Sequence, residues 1–118
     1  MPSSKPLVRL QDIQENATRI LNYIDGLSLD QFLVDTLVQD AVERCLTRIS
    51  EAAVKLGPLG GTLLPDHDWR KIRAIGSVFR HDYDKVELRQ VWLIAQDIMP
   101  KLKTDIDGAI LSFDERER

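Results

Sequence analysis

The run Trp69-Arg-Lys-Ile-Arg-Ala-Ile-Gly-Ser-Val-Phe-Arg-His-Asp-Tyr-Asp84 brings together residue types that could act on a phosphodiester. Imidazole changes charge near neutral pH and can move protons, and guanidinium can hold phosphate oxygens or the charge that develops on them. Wound at about 100° per residue, Trp69, Ile72, Gly76, Phe79 and Tyr83 share one stripe at the spacing of a core-facing helix. Arg73, Ser77, Arg80, His81 and Asp84 fall on a neighbouring polar arc. A solvated helix face with an incidental histidine would read the same way, so the arc alone does not decide the chemistry.

The surrounding charge favours an anionic ligand at this segment. The chain carries a net charge of −3, which argues against a general nucleic-acid coat. Yet Arg70 to Arg89 holds Arg70, Lys71, Arg73, Arg80, Lys85 and Arg89 against Asp82, Asp84 and Glu87. Positive charge therefore gathers around the histidine and would steer an anion there. At 118 residues the chain is expected to be one domain, with residues 1–6 and 114–118 as frayed tails. Cys45 is the only cysteine, so no intrachain disulfide can form, and it reads as a small buried hydrophobe. With no apolar leader in Met1–Pro6 and no membrane-length apolar run, a cytoplasmic location is expected.

The elements that must position the arc all read as helices. Leu10, Ile13, Ala17, Ile20, Leu21 and Ile24 repeat at helical spacing from Leu7 to about Asp25, and Gly26 stops the run. Ser28-Leu-Asp-Gln31 has a capping-box pattern and opens what reads as one long helix to Leu56. Its stripe is Leu33, Leu37, Ala41, Val42, Cys45, Ile49, Ala52 and Leu56, which predicts the centre of a bundle. Gly57-Pro-Leu-Gly-Gly61 reads as the start of a loop to about Asp68, without the Gly-Lys-Ser/Thr of a phosphate loop. Asp66-His67-Asp68 resembles a fragment of a metal site, but no second ligand cluster accompanies it. Loop polarity and an N-cap for the Trp69 helix explain it more simply.

Asp84-Lys-Val-Glu87 is a second cap-like start. It opens a last helix with Val91, Ala95, Ile98, Leu102, Ile106, Ala109, Ile110 and Phe113 inward. Pro100 should kink that helix near residues 96–99. No strand alternation and no repeat is present. Four to five helices predict an all-α, antiparallel up-and-down bundle.

Several pieces in this order carry a family resemblance. They are Arg9-Leu-Gln-Asp-Ile13, Asp40-Ala-Val-Glu-Arg44, Arg48-Ile-Ser-Glu-Ala-Ala53, Trp69-Arg-Lys-Ile-Arg73, Arg80-His-Asp-Tyr-Asp84, Val91-Trp92 and Met99-Pro-Lys-Leu102. From about residue 8 to residue 106 the chain resembles the HepT-like proteins of the HEPN superfamily. The resemblance implies a homodimeric helical bundle acting as the toxin of a toxin–antitoxin pair. It implies a metal-independent endoribonuclease with no cofactor, and RNA as substrate. The implied partner is a minimal nucleotidyltransferase antitoxin that adds AMP to a tyrosine just after the catalytic histidine.

In the family motif, Arg-x(4–6)-His-x-Tyr, the histidine and tyrosine fall on His81 and Tyr83. The arginine often stands five residues before the histidine, where this chain has Gly76 followed by Ser77. Arg73 and Arg80 are then the candidate phosphate-holding groups, with Ser77 in support. For His81 and Tyr83 to reach one cleft, the helix must loosen near Asp82, because residues two apart on a helix point about 200° from each other. Two other readings stand beside the toxin reading: a non-catalytic nucleotide- or substrate-binding subunit of a two-component nucleotidyltransferase, which rests on the same arc, and a helical dimerisation module.

Overall fold

The computed structural model describes residues 5–81 and 87–117, with the side chains of Val78, Arg80, His81 and residues 114–117 outside that description. All secondary structure among the described residues is helical. Helix α1 (Pro6–Ile24) begins on a proline, whose missing N–H costs nothing in a first turn. It ends before Gly26, which adopts φ 77°. Leu10, Ile13, Ala17 and Ile20 are buried along it, as the periodicity predicts.

The long helix expected from Leu29 to Leu56 is two helices. Helix α2 (Leu29–Val34) opens with the predicted capping box: Ser28 Oγ accepts from Gln31 N–H, and the Gln31 side chain accepts from Ser28 N–H. The chain then leaves helical geometry at Asp35, with φ −107° and ψ 88°. The Asp35 carboxylate accepts from Val38 N–H and so caps helix α3 (Thr36–Leu56). An aspartate side chain competes with the helix ladder for backbone donors, which the apolar spacing does not reveal. The break turns Phe32 into the core, where its ring meets Trp92 at 5.3 Å between centroids. It also leaves Leu37, assigned to the inner stripe by spacing, 80% exposed.

Beyond the break, α3 buries most of the predicted stripe, with Ala41 only half-buried and Leu46 and Ala53 added to it. Val42, Cys45, Leu46, Ile49, Ala52, Ala53 and Leu56 are buried, with Ile49 fully enclosed. It packs against α1 on one side and against helix α5 (Trp69–His81) on another. Burial raises the Cys45 thiol pKa despite nearby arginines, in keeping with a hydrophobic role rather than a nucleophilic one.

The segment read as a loop after Gly57 contains a short helix, α4 (Leu59–Leu63). Gly57 supplies a positive φ of 66° that turns the chain out of α3. Gly60 lies under the Trp69 indole, where a β-carbon would come within 2.9 Å of Trp69 Cδ2. The indole N–H donates to the Leu64 carbonyl at 2.8 Å. Glycine here serves a close approach as well as a turn.

The last helical rod comprises α6 (Leu88–Leu93), a π-helical turn (Ile94–Ile98) and α7 (Met99–Glu117). Glu87 caps its start. The Asp84 cap read from the sequence lies outside the described residues. Pro100 disturbs the rod where expected, and the disturbance takes a specific form. A proline ring clashes with the carbonyl four residues back, here Gln96. The preceding segment widens to a π turn, in which Met99 N–H donates to the Ile94 carbonyl. Trp92 and Met99 join Val91, Ala95, Leu102 and Ile106 in the core. The helix continues to Glu117, so the backbone after Phe113 is helical where a frayed tail was expected. α7 packs on α1, and Gln14 reaches across to Asp107 at 2.7 Å. The all-α bundle predicted from the periodicity is the observed fold, with more and shorter helices than expected.

Candidate functional site

Helix α5 carries the polar arc. Its N-terminus is set by Asp68, whose carboxylate accepts from Lys71 N–H at 3.1 Å, the N-cap expected from the sequence. Trp69, Ile72, Ile75 and Gly76 are buried and Phe79 is half-buried, which fixes the apolar side toward α3. Ile75 was not on the predicted stripe and widens it. Arg73 is half-buried and Ser77 is exposed, so both stand on the side left by that packing. Arg70 and Lys71 are exposed one turn earlier.

Arg80 and His81 are the last two residues of α5, and their side chains lie outside the described residues. Tyr83, Asp84 and the expected loosening near Asp82 also lie outside them. The described backbone thus places Ser77, Arg80 and His81 on the C-terminal half of α5, with Arg73 just before its midpoint. The negative end of the helix dipole favours cationic groups there.

Packing reveals a residue that sequence reasoning missed. Ser50 on α3 is 1% exposed, and its hydroxyl lies between two backbone groups of α5. It donates to the Arg73 carbonyl at 2.7 Å and accepts from Gly76 N–H at 2.9 Å. A serine on the inner side of a helix otherwise lined by valine, cysteine, alanine, isoleucine and leucine is the one signal that pointed there. A glycine inside a helix costs about 1 kcal/mol relative to alanine. At Gly76 that cost accompanies close contact with α3.

The other histidine has a different setting. His67 Nε2 lies 2.7 Å from Asp105 Oδ2, and its side chain is 6% exposed. A carboxylate can only accept, so Nε2 carries the proton. Lys101 Nζ also meets Asp105 at 3.0 Å. The hydrogen bond from His67, then that from Lys101, holds the Asp105 carboxyl below its ordinary range. A cleft of about 290 Å³ adjoins this corner, lined by Asp66, His67, Asp68 and Asp97 with Lys71 and Lys101. Neither Arg73 nor Ser77 lines it, and its carboxylates would repel a phosphodiester. Among the described residues no group of three or more His, Cys, Asp or Glu side chains could hold a metal ion. No helix among them is long and apolar enough to cross a membrane.

A helical bundle with a cationic, histidine-ended helix defines a class that comparison with known proteins narrows to a family. The family model described as Ribonuclease HepT-like matches residues 13–107, and the chain belongs to that family, within the HEPN superfamily. A protein of Thermococcus cleftensis, provisionally named ribonuclease HepT, is 30% identical over 94 residues, covering 80% of this chain and 86% of its own. Two proteins of Methanocaldococcus jannaschii carry provisional RNase names. One is 24% identical over 117 residues, covering 99% of this chain and 97% of its own. The other is 22% identical over 98 residues, covering 83% and 90%. No solved structure matches.

Proposed function

We propose that the protein is a ribonuclease that cuts RNA without a metal ion, and that it is the toxin of a toxin–antitoxin pair. The observation that carries this reading is the placement of Arg73, Arg80 and His81 along α5, the last two in its final turn, in a chain of the HepT-like ribonuclease family. Metal-free cleavage needs a base for the ribose 2′-hydroxyl, an acid for the leaving oxygen and a cation for the phosphorane. His81 supplies the proton transfer, and Arg73 and Arg80 the positive charge. One imidazole cannot readily serve as base and acid at once. A homodimer that faces two such arcs across one groove provides both, which gives dimerisation a mechanistic purpose.

A minimal nucleotidyltransferase partner neutralises the toxin by transferring AMP to the Tyr83 hydroxyl. The added anionic group competes with RNA for the same cations and fills the groove, so no long-range change is needed. Gly76 at the position where the family often has arginine favours one alternative: a non-catalytic nucleotide-binding subunit serving that nucleotidyltransferase.

Purified wild type and His81→Ala, incubated with labelled RNA in EDTA, separate the two. Cleavage by wild type that falls by roughly 10²- to 10⁴-fold in His81→Ala supports the nuclease. Equal cleavage by both, or none by either, overturns it. Co-expression with the partner should give protein heavier by one or more AMP units, all on Tyr83. Tyr83→Phe should stay unmodified and toxic; AMP mapped to any other residue defeats the AMP-transfer proposal.

A further inference from the structure

The Ser50 hydroxyl makes two hydrogen bonds to α5, as donor to the Arg73 carbonyl and acceptor from Gly76 N–H. In a regular helix, those backbone groups already have partners four residues away along the ladder. The hydroxyl is therefore not needed to satisfy them, and its effect is to tie one helix to another. A single oxygen held at both its donor and acceptor sides fixes α5 along its axis and in rotation about that axis. A side chain inserted against the ladder is also one of the few causes that steer a helix's direction.

We propose that Ser50 is a positioning residue for RNA cleavage. It locks the register and rotation of α5 on α3, so that Arg73 and the final turn bearing Arg80 and His81 face one groove. A slip of one residue rotates a helix by about 100°, enough to turn these groups away from a shared substrate. Arg73 is tied at its own carbonyl, so its guanidinium starts from a fixed point. Gly76 gives the tie its second half. At the position where the family often places its arginine, this chain uses a buried backbone N–H and draws the guanidinium from Arg73, one turn earlier.

The functional half of this inference rests on the ribonuclease reading, and the mechanical half does not. The test compares full-length wild type, Ser50→Ala, Ser50→Thr and a core control, Ile106→Val, by RNA-cleavage kinetics and by amide hydrogen exchange. Ser50→Ala should lower kcat roughly 10- to 100-fold with KM nearly unchanged. It should speed exchange in the peptide spanning Gly76–His81 while α1 and α7 keep their protection. Ser50→Thr, which retains the hydroxyl, should recover most of both, and Ile106→Val should keep wild-type kcat.

Wild-type kcat in Ser50→Ala, or faster exchange spread evenly over the bundle, would overturn the proposal. Should Ser50→Ala not fold, Ser50→Cys keeps the size and weakens the donor, and the same pattern is expected of it. If wild type cleaves no RNA, the ribonuclease reading fails by itself. The exchange pattern still decides whether Ser50 holds α5.

Discussion

The two ends of α5 are built for different tasks. At the N-terminal end Asp68, Trp69 and His67 all have hydrogen-bond partners. Asp68 caps the helix, the Trp69 indole covers Gly60 and donates to Leu64, and His67 is held by Asp105. From the Ser50 tie onward, the helix presents half-buried Arg73 and exposed Ser77, and it ends at Arg80 and His81. The chain's two histidines stand at opposite ends of this helix. His67 lies in the acidic corner and braces a loop against α7. His81 lies on the stretch where positive charge gathers. A histidine's residue type permits either role, and the charges and packing around it select one.

The anchored end should dominate stability. Trp69→Ala removes a buried indole and its hydrogen bond and should cost about 3–5 kcal/mol in a denaturant titration. A cost below about 1 kcal/mol would mean that this end is not the anchor.

His67→Ala should be milder, with a loss of ~1 kcal/mol at neutral pH and RNA cleavage retained. It also bears on acid stability. Asp105 is depressed chiefly by the hydrogen bond from His67, and Asp107 chiefly by the one from Lys103. A carboxylate lowered in the folded state contributes stability that is complete above its unfolded pKa of about 3.9 and is lost as pH falls through the lower folded value. Thermal melts should therefore show Tm falling below about pH 4, and less steeply in His67→Ala. An unchanged acid limb in the variant would place the proton-linked stability elsewhere.

The smallest effect belongs to the open end. Ser77→Ala removes an exposed hydroxyl and should change stability by less than about 0.5 kcal/mol. A larger loss would show that the two ends do not differ in the way described.

Apolar periodicity made much of the fold legible. The inward faces of α1, the second half of α3 and α5 were readable because burial there follows one unbroken helical period. The Ser28 capping box, the Gly26 stop and the Asp68 cap were also legible, since each acts through neighbours in the chain. The fold class followed from these elements.

What escaped the sequence depended on partners distant in the chain or on competition within one turn. Asp35 breaks the expected long helix because its carboxylate takes a backbone donor and Phe32 gains a place against Trp92. Pro100 widens the helix instead of ending it, since both sides of the rod are held in the core. Gly60 answers to an indole that follows nine residues later in the chain. Ser50 had no visible role until α3 and α5 were placed together, because its two partners lie 23 and 26 residues away. Local geometry is written in spacing, whereas a hydroxyl's partner is decided only when the helices meet.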